Sequence, residues 1–342
     1  MRIEEFDYKL PTSLIAQYPS PQRGESRLMI LHRDQTTFEH RNFRDILDYL
    51  HPGDLLVTNN TRVLPARLIG KKETGGKVEI LLIPSNNGNK EEVNVLIKGS
   101  GKVKEGIQIQ FGTDIYGKVK TVKDGRGKIS FSGQVNLMEM LQRVGHIPLP
   151  PYIKREDTPL DKERYQTIFA ERDGAIAAPT AGLHFTPPLL QSLKNQGIGI
   201  NSITLHIGIG TFEPVKVRDV DDHRMDTEWI EIPEETAREV EQTKKRRGRI
   251  IAVGTTTTRA LESFLNPDGG VRSGKGMTSL FIYPPYRFNV IDGLITNFHL
   301  PKSTLFMLVS AFVGKDFLME AYREAIERKY QFYSYGDAML IL

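Results

Sequence analysis

The 342-residue sequence contains no cysteine. That excludes a disulfide framework, a thiolate nucleophile, a Cys-ligated zinc site and radical chemistry built on a Cys-held iron–sulfur cluster. Long apolar runs are missing too, since no segment approaches the roughly 18 apolar residues that a bilayer-spanning helix needs. The first residues, MRIEEFDYKLP, are acidic where a secretory signal would be basic and then apolar, so a cytoplasmic protein without membrane contact is expected. Charge of one sign is also scarce. With 46 Lys and Arg against 42 Asp and Glu, the net charge of +4 permits a polyanionic partner without demanding one.

What is present is the composition of an ordinary globular chain, 39% hydrophobic and 26% charged, with room for about two domains. Three textures succeed one another. Up to about residue 65, short strands such as Arg27-Leu28-Met29-Ile30-Leu31 alternate with an amphipathic stretch carrying Phe43, Ile46, Leu47 and Leu50, read as a helix. From 66 to 144 the chain is a series of short alternating runs (ARLIGKK, KVEILLIP, EVNVLIK, IQIQF, IYGKVKTV, GKISFS) separated by Gly/Asn/Asp turns, and a helix is expected near 135–144. Period-two runs at such spacing predict a small antiparallel β-barrel or sandwich.

Beyond that, strands alternate with helices. Thr186-Pro187 opens a helix that Gly197 closes, and Pro233 with Glu234 and Glu235 opens another that ends in Lys244-Lys245-Arg246-Arg247. The strands read as GAIAAP, ITLHI, RIIAVG, TSLFIYP and GLITNF. The expected fold class is α/β: a mixed-sheet main domain from 1–65 and 145–342, with the 66–144 barrel inserted, because 65 residues alone make a poor core.

Several motifs are weaker than they look. GGVRSGKG (269–276) has Gly269, Gly274 and Lys275 at P-loop spacing, but Gly276 replaces the magnesium-binding hydroxyl, so a surface loop is expected. HIGIGTFE puts Glu213 at the third glycine position of a dinucleotide fingerprint, which disfavours a Rossmann site. The basic run 244–247 suits a helix C-terminus as well as an RNA contact. The tetra-threonine in AVGTTTTRALES follows a buried-looking strand and opens a helix, where it serves either as a cap or as an anion-binding loop.

Histidines at strand ends are more suggestive. His184 falls in a strand-to-helix loop, in AAPTAGLHFTPP. His206 shares a strand face with Thr204, opposite Ile203, Leu205 and Ile207, and His299 lies between a strand and a helix capped by Ser303. One such histidine is usually structural, whereas three suggest a convergent polar site in which imidazole acts as base or acid. Gly182 would let the backbone approach a ligand.

Together, LPTSLIAQYPSPQRGESRL, VTNNTRVLPARL, GHIPLPPYI, YQTIFA, AAPTAGLHFT, LHIGIGTFEPV, AVGTTTTRALES, TNFHLPKSTLFMLVSAF and SYGDAMLI resemble the S-adenosylmethionine:tRNA ribosyltransferase-isomerase family of queuosine biosynthesis. The likeness runs in order from Leu10 to the C-terminus and is weakest in the barrel-like middle. It implies an α/β domain with an inserted barrel. It also implies that the ribosyl part of S-adenosylmethionine is transferred to 7-aminomethyl-7-deazaguanine at the tRNA wobble position and isomerised, giving epoxyqueuosine-tRNA, adenine and methionine. No metal is required: a base near the ribose 5′ carbon, acidified by the sulfonium, and an acid near adenine suffice.

On this reading the catalytic candidates are His184, then His206, with His299. Thr180, Gly182, Gly208, Gly210, Thr211, Thr255, Thr256 and Asn297 are candidates for S-adenosylmethionine. Asn59, Asn60, Arg62, Arg67 and Arg259 are candidates for the tRNA and its deazaguanine, the alternative for the NNTR residues being an interdomain hydrogen-bond network. Two positions depart from the family pattern, Asp226 where a histidine is frequent and Gln331 where an arginine is frequent, so no obligatory histidine acid is assigned at 226. The expected partner is tRNA carrying the precursor base, and the expected state is a monomer. A non-catalytic RNA-binding protein would use stacking aromatics on the barrel, which offers only Phe111, Tyr116 and Phe131.

Overall fold

The computed structural model describes residues 1–83, 92–98, 103–132, 136–208, 210, 215, 217–267 and 269–342. In chain order its first strands are β1 (Arg27–His32), β2 (Thr37–Asn42), β3 (Leu55–Asn59) and β4 (Thr61–Val63). There follow β5 (Arg67–Lys72), β6 (Lys77–Ile83), β7 (Val93–Lys98), β8 (Gln108–Phe111), β9 (Ile115–Lys123), β10 (Arg126–Ser132) and β11 (Gly145–His146). The remainder are β12 (Arg172–Ala175), β13 (Gly199–Leu205), β14 (Glu228–Ile232), β15 (Ile250–Val253), β16 (Gly274–Thr278), β17 (Gly293–Asn297) and β18 (Ala338–Ile341). The helices are α1 (Leu137–Val144), α2 (Pro159–Arg164), α3 (Pro187–Asn195), α4 (Glu234–Lys245), α5 (Thr255–Ser263), α6 (Thr304–Val313) and α7 (Lys315–Glu327).

The main sheet runs β16-β14-β13-β3-β15-β17-β18-β1-β2 and is mixed. Its centre, β13-β3-β15-β17, is parallel, and antiparallel pairs follow on both sides. The sequence explains why. LLVTN, IIAV, GLITN and AMLI are buried along their whole length. Such unbroken apolar runs suit strands covered on both faces. One face packs on α4, α5, α6 and α7 through residues such as Leu55, Val57, Phe306 and Leu318. The other packs on α3 and the 3₁₀ turn Phe43–Asp48 through Leu56, Ile251, Phe185 and Phe43.

The second sheet follows the other period. KVEILLI alternates between exposed or half-buried and buried residues, as does QIQF. Strands β5-β6-β7-β10-β9-β8 pair in that order and β8 returns to β5, closing a six-stranded antiparallel barrel that β11 flanks. Closure removes the exposed edges. The barrel has its own core around Phe111, Ile80 and Ile129.

Some local expectations are corrected. Phe43–Asp48 is a 3₁₀ turn rather than an α-helix. Residues 174–179 are strand only as far as Ala175. GGVRSGKG is not wholly a loop, because Gly274–Thr278 forms edge strand β16 against β14. The expected strand TSLFIYP ends at Thr278 instead. There the Leu280 N–H bonds the Thr278 hydroxyl at 3.2 Å and its carbonyl takes the Arg259 Nε at 2.9 Å, so both backbone groups leave the ladder. The 135–144 helix is seen as Leu137–Val144, and Val135 lies outside the described residues.

Candidate active site

Parallel strands β3, β15 and β17 end at one edge of the sheet, where α/β folds place their ligands. Asn59 ends β3 and organises the neighbourhood. Its Oδ1 accepts the N–H groups of Thr61 and Leu205, and its Nδ2 donates to the Leu205 carbonyl and the Thr256 hydroxyl. After β15, Gly254 adopts a φ of +95°, a left-handed conformation that costs glycine little, and turns the chain into α5. Thr257 and Thr258 bond back to the carbonyls of Val253 and Gly254, while Thr255 and Thr256 face a cavity.

That cavity encloses about 880 Å³ including its open mouth. Its walls are mostly apolar and aromatic, with Tyr152, Tyr165, Tyr333, Ile207 and Leu305 contributing, and Thr180, Thr255, Thr256, Arg259, Asn297 and His299 supply polar groups. A largely apolar cleft with a few convergent polar groups is the usual form of a small-molecule site.

Two of those polar groups are incompletely satisfied. Arg259 is 3% exposed. Its Nη1 is held by the Glu228 carboxylate and its Nε by the Leu280 carbonyl, but Nη2 has no partner among the described residues. Asn297 donates from Nδ2 to His184 Nε2 at 3.1 Å and to the Tyr333 carbonyl at 3.0 Å, and its Oδ1 is likewise buried without a partner. Buried polar atoms are rarely left so, and here both belong to residues that line the same cavity. Glu228 also accepts the Gly208 N–H at 3.0 Å, which ties the segment after β13 to the guanidinium.

The structure does not bring the three histidines together. His299 lines the cavity, with Nε2 2.7 Å from the Thr296 hydroxyl, and burial pushes its pKa down to about 3. His184 stands behind Asn297. It stacks on Phe43 and engages Ser26 Oγ at 2.7 Å through Nδ1. Because Nε2 accepts from Asn297, the proton sits on Nδ1; burial and the nearby Arg23 charge push the pKa down to about 4. His206 stacks on Trp229 with ring centroids 4.9 Å apart and bonds the Thr61 hydroxyl through Nδ1 at 2.8 Å, so it lies beside β14 rather than in the cavity wall.

The remaining candidates divide similarly. At Gly182 a Cβ would meet the Thr167 methyl at 2.9 Å, so its smallness serves packing. At Gly210 a Cβ would sit 2.7 Å from the Asp226 carboxylate, and Thr211 lies outside the described residues. Asn60 accepts from the Thr204 hydroxyl at 2.7 Å and donates to Glu171 at 3.2 Å, so both NNTR asparagines hold elements together. Arg62 donates to the Ala170 carbonyl at 2.7 Å, and Arg67 is paired with Glu79 and Asp157. The basic run at the end of α4 is largely tied down as well, with Lys245 2.6 Å from Glu241 and Arg246 3.6 Å from Glu239.

Sequence reasoning assigned no role to Tyr152, Tyr165, Tyr333 or Ser334, which the fold gathers around the cavity from three distant segments. The available signal was aromatic residues beside proline- or glycine-containing turns in PPYI and FYSYGD.

Comparison with known proteins agrees with this architecture. A family model described as queuosine biosynthesis protein matches residues 3–341. The chain is 49% identical to the S-adenosylmethionine:tRNA ribosyltransferase-isomerase of Sulfurihydrogenibium sp. and 50% identical to that of Thermotoga maritima, covering 100% of both chains in each case. Among solved structures it is similar to the S-adenosylmethionine tRNA ribosyltransferase of Thermotoga maritima, with 39% identity, a TM-score of 0.56, and coverage of 99% of this chain and 100% of the other. With a family match over nearly its whole length, the chain belongs to the queuosine biosynthesis protein family of S-adenosylmethionine:tRNA ribosyltransferase-isomerases.

Proposed function

We propose that this protein transfers and isomerises the ribosyl moiety of S-adenosylmethionine onto 7-aminomethyl-7-deazaguanine at the tRNA wobble position, releasing adenine and methionine, and that the Arg259–Asn297 cavity holds S-adenosylmethionine. The observation that carries the reading is the full-length likeness to enzymes bearing this activity name. The cavity supplies suitable chemistry. Asn297 Oδ1, fixed as an acceptor, suits the exocyclic amino group of adenine. Arg259 Nη2, with the N-terminus of α5 beside it, suits the methionyl carboxylate. The faces of Tyr152, Tyr165 and Tyr333 suit a purine or a sulfonium cation.

In this scheme the base that takes the 5′ proton is His299, which lines the cavity and is kept neutral by burial. Burial also makes it a weak base, so the transfer depends on the acidity that the sulfonium confers on the neighbouring carbon. His184 acts through Asn297 as a positioning residue. The experiment is to incubate the protein with S-adenosylmethionine and tRNA bearing the precursor base. Adenine and methionine are expected, and S-adenosylhomocysteine, or no product from the folded protein, would overturn the reading.

A further inference from the structure

Behind His184 a second, shallower cleft opens between residues 19–24 and residues 334–336, and Ser334 lines both it and the main cavity. Two guanidiniums line this cleft. Arg23 donates from Nη1 to the Gln166 carbonyl at 2.9 Å and from Nη2 to the Glu163 carbonyl at 3.3 Å. Arg164 donates from Nη2 to the Ser20 carbonyl at 2.8 Å and from Nη1 to the Pro21 carbonyl at 3.3 Å. Each of these acceptors is a neutral backbone carbonyl, and no carboxylate among the described residues forms an ion pair with either side chain. Burial and, next, the like charge of Arg164 lower the Arg23 pKa, with the Glu163 carboxylate opposing from a longer distance. The fold therefore holds two cations near each other, half-buried and without an ion-paired carboxylate among the described residues, an arrangement that an anion in the cleft would stabilise.

The rim carries a second feature. Tyr18 is 63% exposed, the only aromatic among the exposed large hydrophobics of the described residues. The Arg155 guanidinium covers its ring at 4.3 Å from the centroid and is itself fixed by two bonds to Asp161, at 2.7 and 2.8 Å. A braced, exposed ring one residue before the cleft-lining Pro19 offers a base-stacking platform at the end of a cleft lined by two cations, the combination used for single-stranded nucleic acid.

We propose that this cleft binds the phosphodiester and base of a tRNA nucleotide flanking the one being modified, with Arg23 and Arg164 on the phosphate oxygens and Tyr18 stacked on the base. The proposal rests on the functional reading above, and the wall shared through Ser334 sets the flanking nucleotide beside the reacting one.

The test uses the full-length protein and substrate tRNA, with binding followed by fluorescence anisotropy at several salt concentrations and S-adenosylmethionine binding followed by calorimetry. Arg164→Gln should weaken tRNA binding about 5- to 50-fold and lower the slope of log affinity against log salt by about 0.7 to 1. Tyr18→Ala, at an exposed position that carries little of the fold, should weaken binding about 5- to 100-fold with the slope unchanged. Both should leave S-adenosylmethionine affinity as in the wild type. Unchanged tRNA affinity and slope in both variants, with wild-type turnover, would overturn the cleft while leaving the enzyme's function standing. Lost S-adenosylmethionine binding with intact tRNA binding in Arg164→Gln would assign the anion to the methionyl carboxylate and overturn it equally. A wild-type protein that neither binds nor modifies tRNA would remove the functional reading and the cleft with it.

Discussion

Asn297 Nδ2 donates to His184 Nε2 at 3.1 Å, and His184 passes its own Nδ1 proton toward Ser26 Oγ at 2.7 Å. The relay settles the orientation of the amide. With Nδ2 held by the imidazole and by the Tyr333 carbonyl, Oδ1 is the atom left without a partner, and a rotated amide would set its oxygen against that carbonyl. In the proposed scheme, His184 thus positions the Asn297 amide from outside the wall of the main cavity.

His184→Ala should therefore affect both fold and activity. Removing a buried ring that stacks on Phe43 and bonds two partners should cost about 2 to 4 kcal/mol of stability. Freed, Asn297 should raise the KM for S-adenosylmethionine about tenfold or more, since a buried polar contact is lost. His184→Gln, which keeps an acceptor for Asn297, should recover most of the KM but not all of the stability. A rate loss of about 100-fold or more with unchanged melting temperature and KM would instead mark His184 as the general base.

The buried histidines also predict a pH dependence. The folded-state pKa values of His184 and His299, about 4 and about 3, lie below the ordinary histidine value of 6.5. The folded protein therefore binds fewer protons than the unfolded chain in this window. Stability is present in full above pH ~6.5 and is lost as pH falls toward each folded value, by about 1.4 kcal/mol per pH unit for each histidine. Urea midpoints should fall steadily from pH 6.5 to 4.5 in the wild type, and the decline should be shallower in His184→Gln. Equal declines would mean that His184 charges freely in the fold.

Arg259 offers a test of the anion contact. Arg259→Ala should destabilise the protein by about 3 to 5 kcal/mol, because Glu228 stays buried without its cation. Arg259→Lys keeps a charge but not the fork, so it should fold better while raising the KM for S-adenosylmethionine about 10-fold or more. If the lysine variant binds S-adenosylmethionine with unchanged affinity by calorimetry, Nη2 is not a ligand contact.

How much of this was legible in the sequence depends on which atoms the chemistry needs. The barrel and the parallel core were readable because residue periods of two and unbroken apolar runs such as IIAV report which faces are covered. Thr255, Thr256 and Asn297 were expected at strand ends, where α/β sheets bind ligands, and all three line the cavity. The histidines were expected to converge, and the fold sets only His299 in the main cavity wall. Sequence places His184 at a strand end, but only the fold shows Phe43, Ser26 and Asn297 packed around its ring. Tyr152 and Tyr333 were under-read, since they meet across 181 residues through loops whose path no local pattern fixes. Arg67 of the NNTRVLPARL run looked like a phosphate ligand because its partners Glu79 and Asp157 come from later segments that only the fold brings to it.

Arg67 makes that last distinction measurable. Its guanidinium lies 3.2 Å from Glu79 on β6 and 3.3 Å from Asp157, which follows the barrel in the chain and is itself almost fully buried. Asp157 also meets His146 at 3.0 Å and accepts the Ile147 N–H at 3.1 Å, so Arg67 joins the barrel wall to the segment leaving it. Two carboxylates already balance its charge, and little field is left for a phosphate. Arg67→Ala should therefore lower stability by about 1 to 3 kcal/mol, most of it from leaving Asp157 under-compensated, while the salt slope of tRNA binding stays at the wild-type value. Arg164→Gln should do the reverse, moving the slope and sparing the melting temperature. A reduced slope in Arg67→Ala with native stability would return this residue to the RNA surface and show that the Glu79 and Asp157 pairs open when tRNA binds.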